Sequence, residues 1–534
     1  MRSRPQSSFS DLLTNWAKET PEDVVFWGSS GEISITGFLR ECEKALGWLV
    51  HKGVARGDVV AIYAVSRIEW LALFFAAAQL GAVILPINTR YRSEEITYLI
   101  KKSKVRFLIA QTAFKKINFA DVLKTIDFKD IPSLQEIVFI EDNHTGMVPA
   151  LPGVKTSWLD LNKTVPIELN AEINPDGLLA LFATSGTTSG PKLVMQSQTS
   201  LVNHAYHCAK AYKLHEKDSV LLAQLPLCGV FGLCSVLAAM AARCPIVLMD
   251  NFEAKQAAQW INQYKVTHTF GSDEMVRRLY ELAPEAKPYP SLELFGFGAF
   301  TTSFDAIALE VCGKGIPLHG LYGSSEVLAI FSTQSSSLPV EERIKGGGVP
   351  VAGSLAKFRI RDVDTGAILD ANQPGEIEVI APSMFMGYFN DQAATDNVLL
   401  RDGYFRTGDV GFLRADGSLV YLSRKGDAIR LAGFLVNPIE IEDTLKQFKG
   451  VLDTQVVAVD IAGVAKIVAF VIADQNIVCN EQDLIEQAKN VMAAFKVPAN
   501  VFFVNEYPVT QGSNGMKIQK GKLRDMALKN LGLQ

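Results

Sequence analysis

A stretch between Phe182 and Lys192 combines residue types that bind anions. It contains five hydroxyl side chains, two glycines and one lysine. Glycine lets backbone amides approach an anion closely, and hydroxyl and ammonium groups supply further hydrogen-bond donors. This is the chemistry of a loop that wraps around phosphates. Because Pro191 separates Gly190 from Lys192 and no Ser or Thr follows the lysine, the stretch does not match the Walker-type phosphate loop.

The neighbouring elements must hold this loop in place. Gly177 to Phe182 is an apolar run with the length of a buried strand, and the chain after Leu193 leads into a helix that begins near Ser200. A flexible linker is the other interpretation of a segment rich in Ser, Thr and Gly. The strand before the loop and the lysine at its end favour the phosphate loop.

This stretch closely resembles the phosphate-loop signature of the adenylate-forming (AMP-binding) superfamily, of the acyl-CoA synthetase and aryl-CoA ligase type. The likeness extends from about Val59 to the C-terminus, through separate motifs in the family's order. It implies an α/β protein with a large N-terminal adenylate-forming domain of mostly parallel sheets and a small, mobile α+β C-terminal domain. We expect the domains to cover residues 1–423 and 424–534, with the hinge near 424–427. One matching segment, 375–390, is expected to be structural rather than chemical.

The resemblance implies an ATP site built from several separate segments. Asp409 is expected to accept hydrogen bonds from both ribose hydroxyls, and Arg424 to reach the ribose or a phosphate. Glu326 is expected to act in catalysis and, with the hydroxyl of Thr184, to hold Mg²⁺. Tyr322 offers an aromatic face to the purine. The full set of expected nucleotide-binding residues is Thr184, Ser185, Gly186, Thr187, Thr188, Gly190, Lys192, Ala299, Tyr322, Gly323, Ser324, Ser325, Asp409 and Arg424.

The expected acid pocket is apolar. The segment 225–235 resembles the pocket segment of the family, and Gly229 stands where many relatives have a histidine. The glycine removes a bulky polar wall, so we expect a deeper pocket; plain core packing is the alternative for any single residue here. The segment has no aspartate to hold a substrate ammonium group, which disfavours an amino-acid substrate. The expected pocket residues are Gly229, Val230, Phe231, Gly298, Gly320 and Gly348.

The small domain is expected to bring a lysine to the reacting groups. A basic segment near the C-terminus resembles a family motif whose register selects Lys517 as the catalytic residue over Lys520 and Lys522. A solvated basic tail is the alternative interpretation. Gly433 lies in the loop that meets the pantetheine arm of CoA in relatives. Gly426 occupies the hinge position, and glycine permits large changes of backbone angles.

The composition narrows the class of protein. A net charge of −5 does not favour the binding of nucleic acid. The seven cysteines are scattered and form no C-x-x-C pair, which favours reduced thiols and a cytoplasmic location over a set of disulfides. Two long apolar runs, 71–84 and 225–249, are interrupted by polar residues, Gly or Pro, so we expect a buried helix followed by a strand in each, and no integral membrane segment. His204 and His207 share a helix face, but no further cluster of metal ligands accompanies them.

The resemblance implies an ATP- and Mg²⁺-dependent ligase that activates a fatty or aryl acid as acyl-adenylate and transfers it to CoA. The expected partners are a small-molecule carboxylic acid and CoA. Two alternatives stay open: a stand-alone adenylation enzyme that loads a separate carrier protein, and a non-catalytic nucleotide-binding relative. The joint presence of Lys192, Glu326, Asp409, Arg424 and Lys517 argues against the second alternative.

Overall fold

The computed structural model describes residues 8–29, 31–140, 146–169, 175–184, 191–283, 285–299, 304–425, 429–431, 434–436, 438–461, 464–477, 479–492, 496–512 and 515–533. The strands of this part of the chain are β1 (Val24–Gly28), β2 (Gly31–Ser34), β3 (Val59–Tyr63), β4 (Val83–Pro86), β5 (Phe107–Gln111), β6 (Ala113–Phe114), β7 (Ile117–Asn118), β8 (Glu136–Ile140), β9 (Lys155–Trp158), β10 (Leu178–Ala183), β11 (Leu193–Ser197), β12 (Leu221–Ala223), β13 (Ile246–Leu248), β14 (His268–Ser272), β15 (Leu294–Gly298), β16 (Leu318–Ser324), β17 (Leu328–Thr333), β18 (Gly347–Pro350), β19 (Lys357–Arg361), β20 (Gly375–Ile380), β21 (Phe405–Leu413), β22 (Leu419–Arg424), β23 (Ile429–Leu431), β24 (Phe434–Val436), β25 (Val451–Ile461), β26 (Val464–Ala473), β27 (Asn500–Phe503), β28 (Val509–Gly512) and β29 (Gly515–Ile518).

The α-helices of the same part are α1 (Phe9–Glu19), α2 (Ile35–His51), α3 (Ile68–Leu80), α4 (Ser93–Ser103), α5 (Phe119–Lys124), α6 (Gln198–Ala211), α7 (Val230–Ala241), α8 (Ala254–Gln263), α9 (Asp273–Glu281), α10 (Asp305–Gly313), α11 (Val340–Arg343), α12 (Gln392–Asp396), α13 (Pro438–Lys446), α14 (Glu481–Val491) and α15 (Lys520–Asn530). Two 3₁₀ turns cover Phe128–Asp130 and Gly353–Leu355.

The larger sheet is parallel on one side and antiparallel on the other. Its 13 strands lie in the order β19-β20-β21-β22-β18-β17-β16-β15-β14-β12-β13-β1-β2. Neighbours from β16 to β1 pair in parallel, whereas those from β19 to β16 and the edge pair β1-β2 are antiparallel. The predicted α/β class is confirmed, and the antiparallel half is an addition to the parallel sheet that the alternation of helix and strand predicts.

The second sheet carries the predicted phosphate loop. Its seven strands lie in the order β11-β10-β4-β3-β5-β8-β9, and only β11 runs antiparallel to its neighbour. The strands β3, β4, β5 and β8 are buried along their whole length, as expected for parallel strands covered on both faces. The strand predicted before the loop is β10; after the loop, the structure places β11 before the predicted helix, which is α6.

Two helices without a polar face lie in the interior of the protein. α3 is buried along 70–78 and α7 along 231–240. A helix that is apolar on all sides is typical of a core position. The predicted buried helix followed by a strand is therefore found in both long apolar runs. Within the described ranges, no helix is both long and apolar enough to cross a bilayer.

The C-terminal part forms a small α+β unit. α13 is followed by the antiparallel pair β25-β26, to which β27 adds in parallel, and α14 and α15 complete the unit. Val456, Ile467 and Val501 belong to one of its apolar clusters. The predicted small α+β domain is confirmed, while the boundary between 423 and 424 stays a prediction.

The seven cysteines are free thiols. Cys42, Cys208, Cys228, Cys234 and Cys244 are buried, whereas Cys312 and Cys479 are partly exposed. Burial raises the pKa of the Cys228 thiol to about 11, and those of Cys234 and Cys244 to about 12. These thiols are therefore protonated at neutral pH.

Buried histidines predict a loss of stability in mild acid. Burial lowers the pKa of His204 and His268 from 6.5 to about 4, so between these pH values the unfolded chain binds protons that the folded chain does not. The free energy of unfolding should fall by about 2 kcal/mol per histidine between pH 7 and pH 5. We expect His268→Gln to reduce this pH dependence, measured by urea denaturation at both pH values, whereas substitution of the exposed His51 by Gln should leave it unchanged. Equal pH dependence in all three proteins would contradict the prediction.

Candidate active site

The predicted phosphate loop joins two antiparallel strands. β10 ends at Ala183, which pairs with Leu193 at the start of β11. The Thr184 amide donates to the Lys192 carbonyl at 2.9 Å, so the two ends of the loop are held side by side as in a β-hairpin. The predicted loop residues Ser185, Gly186, Thr187, Thr188 and Gly190 lie outside the described residues.

Helix α4 contacts the C-terminal end of this loop. The Tyr98 hydroxyl and the Lys102 ammonium, both on α4, donate to the Pro191 carbonyl at 3.3 and 3.2 Å. Lys102 also donates to the Tyr98 oxygen at 2.8 Å. Neither residue is predicted from the sequence, because no local pattern relates α4 to a loop so far along the chain. Their contact places a further positive charge beside the predicted phosphate site.

A tyrosine joins the lysine of the loop to the predicted metal-binding carboxylate. Lys192 Nζ lies 4.7 Å from the centroid of the Tyr388 ring, whose π face attracts a cation. The Tyr388 hydroxyl donates to Glu326 Oε1 at 3.0 Å. Burial and the nearby Glu326 charge raise the pKa of Tyr388, so its hydroxyl keeps its proton. The segment 375–390, expected to be structural rather than chemical, therefore contributes a side chain that contacts both predicted site residues.

The backbone around Glu326 is held by the strand that leaves the phosphate loop. Gln196, on β11, donates through Nε2 to the Ser325 carbonyl at 2.9 Å and to the Glu326 carbonyl at 3.4 Å. The Phe385 amide donates to the Glu326 carbonyl at 2.7 Å, and Ser324 Oγ accepts from the Glu326 amide at 3.2 Å. The predicted residues Gly323 and Ser324 end β16 immediately before this segment.

The predicted ribose-binding residues Asp409 and Arg424 form one chain of hydrogen bonds and charges with Tyr322, which is predicted to contact the purine. The Tyr322 hydroxyl donates to Asp409 Oδ2 at 2.6 Å, and Arg424 Nη1 lies 3.0 Å from Asp409 Oδ1. Asp409 is only 3% exposed, and its charge raises the pKa of Arg424. Burial and the Asp409 charge raise the pKa of Tyr322, which therefore stays a donor. Acceptance of hydrogen bonds from the ribose hydroxyls by Asp409 stays a prediction.

Glu326 suits a metal ion that binds together with its nucleotide. Within the described ranges, no three or more His, Cys, Asp or Glu side chains converge as a metal site, and His204 and His207 belong to no such group. Mg²⁺ is typically bound by one or two carboxylates and by substrate phosphates rather than by a cage of protein ligands. The partly buried carboxylate of Glu326 and the hydroxyl of Thr184 are hard oxygen ligands of this kind. The residues present therefore fit Mg²⁺ that enters with ATP.

Four of the six predicted acid-pocket residues lie at the ends of α7 and β15. Gly229 is the N-cap of α7 and is buried, Val230 is partly buried, and the Phe231 ring packs 6.5 Å from the ring of Phe270. Gly298 is the last residue of β15, and Ala299, predicted to contact the nucleotide, follows it with an exposed side chain.

Two of the predicted pocket glycines are required by the backbone itself. A Cβ atom on Gly320 would lie 2.0 Å from the Lys345 carbonyl oxygen. Gly348 has φ +95°, and its Cβ would lie 2.0 Å from the Thr333 carbonyl group. Only glycine fits such close approaches. Their place in the sequence motif therefore has a packing reason, and their contact with an acid stays a prediction.

Two of the candidate lysines of the small domain, Lys520 and Lys517, have different surroundings. Lys520 Nζ lies 2.6 Å from the Glu442 carboxylate, which is fully buried and also accepts from the Val456 amide at 2.9 Å. Lys520 thus stabilises the small domain. The backbone of Lys517 lies in β29, paired with β28, while its side chain lies outside the described part of the chain. The predicted CoA residue Gly433 and hinge residue Gly426 are also outside that part.

Comparison with known proteins identifies the family. A family model described as AMP-binding enzyme matches residues 13–389, and another described as AMP-binding enzyme C-terminal domain matches residues 440–513. The chain belongs to the AMP-binding enzyme family. A curated relative of this AMP-binding enzyme is the 2-succinylbenzoate–CoA ligase of Geobacillus kaustophilus, 30% identical over 508 residues that cover 93% of this chain and 95% of the relative.

Solved structures of the AMP-binding fold superpose over almost the whole chain. ATP-bound MatB from Rhodopseudomonas palustris has a TM-score of 0.81 at 23% identity, covering 98% of this chain and 100% of MatB. The o-succinylbenzoate CoA synthetase MenE from Bacillus subtilis, in complex with ATP and a magnesium ion, has a TM-score of 0.78 at 23% identity, covering 96% and 98%. The resemblance and the fold class predicted for this AMP-binding enzyme are confirmed.

The contact between Tyr322 and Asp409 predicts a role of the tyrosine hydroxyl in nucleotide affinity. Tyr322→Phe removes one donor from a buried carboxylate, and a hydrogen bond to a charged group is worth about 1.5–3 kcal/mol. We expect the Kd for AMP, measured by calorimetry, to rise roughly tenfold to a hundredfold. The control is Tyr289→Phe, since the Tyr289 hydroxyl donates to the Leu279 carbonyl in another buried site. An unchanged Kd in Tyr322→Phe, or an equal change in the control, would contradict the prediction.

Proposed function

We propose that this AMP-binding enzyme is an ATP-dependent ligase that joins a fatty or aryl carboxylic acid to CoA through an acyl-adenylate. The observation that carries the proposal is the contact of Tyr388 with both Lys192 and Glu326, since it unites the phosphate loop with the carboxylate proposed for the metal. The ligase from Geobacillus kaustophilus and MenE are named as a CoA ligase and a CoA synthetase, and these names support the same class.

The first half-reaction requires positioning and charge stabilisation rather than a general base. A carboxylic acid is already ionised at neutral pH, so it can attack the α-phosphate directly. In this proposal the loop hydroxyls and Lys192 bind the phosphates, and Asp409 with Arg424 binds the ribose. Lys517 would neutralise the attacking carboxylate and the α-phosphate. Mg²⁺, when held by Glu326 and Thr184, would supply charge to stabilise the departing pyrophosphate.

The second half-reaction transfers the acyl group to the thiol of CoA. We propose that residues 424–534 rotate about the hinge near 424–427, which would replace Lys517 by the loop of Gly433. Hinge rotation of this kind gates many enzymes. CoA is preferred to a carrier protein as acceptor because the relatives named above are CoA ligases. A cytoplasmic location is retained as a prediction from the cysteine pattern.

The decisive test of the proposed function is exchange of labelled pyrophosphate into ATP. We expect exchange only when a suitable fatty or aryl acid is present, and AMP release only when CoA is added as well. Acid-dependent exchange without AMP release on CoA addition would favour a carrier protein as acceptor. Absence of exchange with every acid, in a protein that still binds AMP, would favour a non-catalytic nucleotide-binding protein.

Lys517 is expected to serve adenylation and not thioester formation. Lys517→Ala should cost roughly 2–4 kcal/mol of transition-state stabilisation in pyrophosphate exchange, as other preorganised charge donors do. Supplied with synthetic acyl-adenylate and CoA, the variant should still form thioester. Lys520→Ala is the matched control, because Lys520 pairs with buried Glu442 and its loss should lower the unfolding temperature instead. Equal loss of both half-reactions in Lys517→Ala would overturn the assignment.

The size of the acid pocket is expected to depend on Gly229. A hydrophobic wall discriminates by about 1–3 kcal/mol per methylene, so kcat/KM should change gradually across a homologous acid series. Gly229→His and Gly229→Phe should shorten the longest acid that is accepted while leaving the Kd for AMP unchanged. A parent enzyme that prefers short polar acids would contradict an apolar substrate. An unchanged acid preference in both variants would show that Gly229 does not line the pocket.

A further inference from the structure

The backbone that follows Glu326 is strained. Leu328 has φ +70° and Ile330 has φ +54°, and both residues are buried in β17. The left-handed region is unusual for any side chain, and for a β-branched residue such as Ile330 it is a genuine outlier. Such conformations persist only where the surroundings determine them, and they cluster at functional sites. The strained residues here lie two and four positions after the proposed metal-binding carboxylate.

One face of α6 and its C-cap supplies hydrogen bonds to this strained backbone. His204 Nε2 lies 2.7 Å from the Ala329 carbonyl oxygen, and the Tyr212 hydroxyl donates to the Ile330 carbonyl at 3.1 Å. Cys208 Sγ lies 3.7 Å from the same Ile330 oxygen and 3.3 Å from His204 Nε2. The three side chains are four residues apart, a spacing that places them on one side of a helix.

The contact with the Ala329 carbonyl determines which nitrogen of the neutral His204 ring carries the proton. A carbonyl oxygen can only accept, so the ring carries a proton on Nε2 and donates it to Ala329. The ring is 2% exposed, and burial lowers its pKa to about 4, which keeps it neutral. A buried donor without its acceptor would be costly, so this hydrogen bond ties α6 firmly to the segment.

The other carbonyls of the segment are also bound by residues from distant parts of the chain. Gln196 donates to the Ser325 carbonyl, the Phe385 amide donates to the Glu326 carbonyl, and Ser383 Oγ donates to the Val327 carbonyl at 2.8 Å. The backbone is therefore fixed on both sides of Glu326. Relaxation of Leu328 or Ile330 to a right-handed conformation would redirect the preceding chain and with it the Glu326 carboxylate.

We propose that His204, assisted by Tyr212, is a positioning residue: it holds the segment 325–330 in its strained conformation, so that Glu326 meets the metal ion of the bound nucleotide. This role rests on the ATP-dependent activity proposed above. The His204 ring is buried beneath the segment that it contacts. It acts through the Ala329 carbonyl, and its effect should appear in the contribution of the metal to nucleotide binding.

The test measures nucleotide affinity with and without the metal ion. The probe is α,β-methylene-ATP, which is not cleaved at that position, titrated by calorimetry in the presence of Mg²⁺ or of EDTA. His204→Leu removes the donor, whereas His204→Gln keeps an N–H donor at a similar position. We expect the Mg²⁺-dependent gain in affinity to be at least tenfold smaller in His204→Leu than in the parent protein. His204→Gln should retain most of this gain. The Kd for AMP, which needs no metal, should change less than twofold in both.

Two further variants keep the result interpretable. Tyr212→Phe deletes only a hydroxyl. Because one neutral hydrogen bond is removed, the Mg²⁺-dependent gain in affinity should be roughly threefold to tenfold smaller than in the parent protein. His268→Leu replaces another buried histidine, whose Nδ1 contacts Thr267 Oγ1 at 2.8 Å, and should leave the gain unchanged. Thermal unfolding of each variant is recorded alongside.

The outcomes separate this inference from the proposed function. A full Mg²⁺-dependent gain in His204→Leu and Tyr212→Phe would overturn the positioning role alone. A loss of AMP affinity equal to the loss of the gain, or the same loss in His268→Leu, would overturn it as well, because it would indicate general destabilisation. A parent protein whose affinity for α,β-methylene-ATP does not respond to Mg²⁺ would overturn both the inference and the metal-dependent function on which it rests.

Discussion

The antiparallel pairing of β10 with β11 is the constraint on which the candidate site depends. It closes the phosphate loop through the hydrogen bond from the Thr184 amide to the Lys192 carbonyl. The same strand then presents Gln196 to the backbone around Glu326 and continues into α6. One continuous segment therefore holds the two ends of the predicted phosphate loop together, contacts the region proposed to bind the metal ion and starts the helix α6 that supports this region. Sites held by strands and helices are more precise than sites held by loops alone, because their supporting geometry is fixed.

The sequence predicts what depends on local order along the chain. Strands such as β3 and β4 are short, continuous apolar runs, and α3 and α7 are long and predominantly apolar, so their existence and burial follow from the sequence pattern. β11 is not predicted from the sequence, because it has only five residues and two of them are polar, a pattern that does not indicate a strand. Its strand conformation depends on the pairing with β10. Pairing partners are decided by contacts across long separations, which one sequence does not display.

The side chains that complete the site escape prediction for a related reason. Tyr388 belongs to a segment with a family-like pattern, but nothing near it in sequence indicates that its ring faces Lys192 and its hydroxyl Glu326. Likewise, no propensity would place Ile330 in a left-handed conformation, since local preference opposes it. Such violations of local rules are expected at functional sites, where tertiary contacts override them.

The buried thiols have a consequence for an enzyme whose proposed substrate is itself a thiol. Exchange between CoA disulfides and protein cysteines needs a thiolate that is accessible. Cys228 is buried, and burial raises the pKa of its thiol to about 11, so the thiol is protonated at neutral pH. Cys234 and Cys244 are protected further, since burial raises the pKa of each to about 12. Mixed disulfides with CoA should therefore not form at these three cysteines of the large domain, even where CoA and its disulfide are present. The thiol that reacts in the proposed function is that of the substrate.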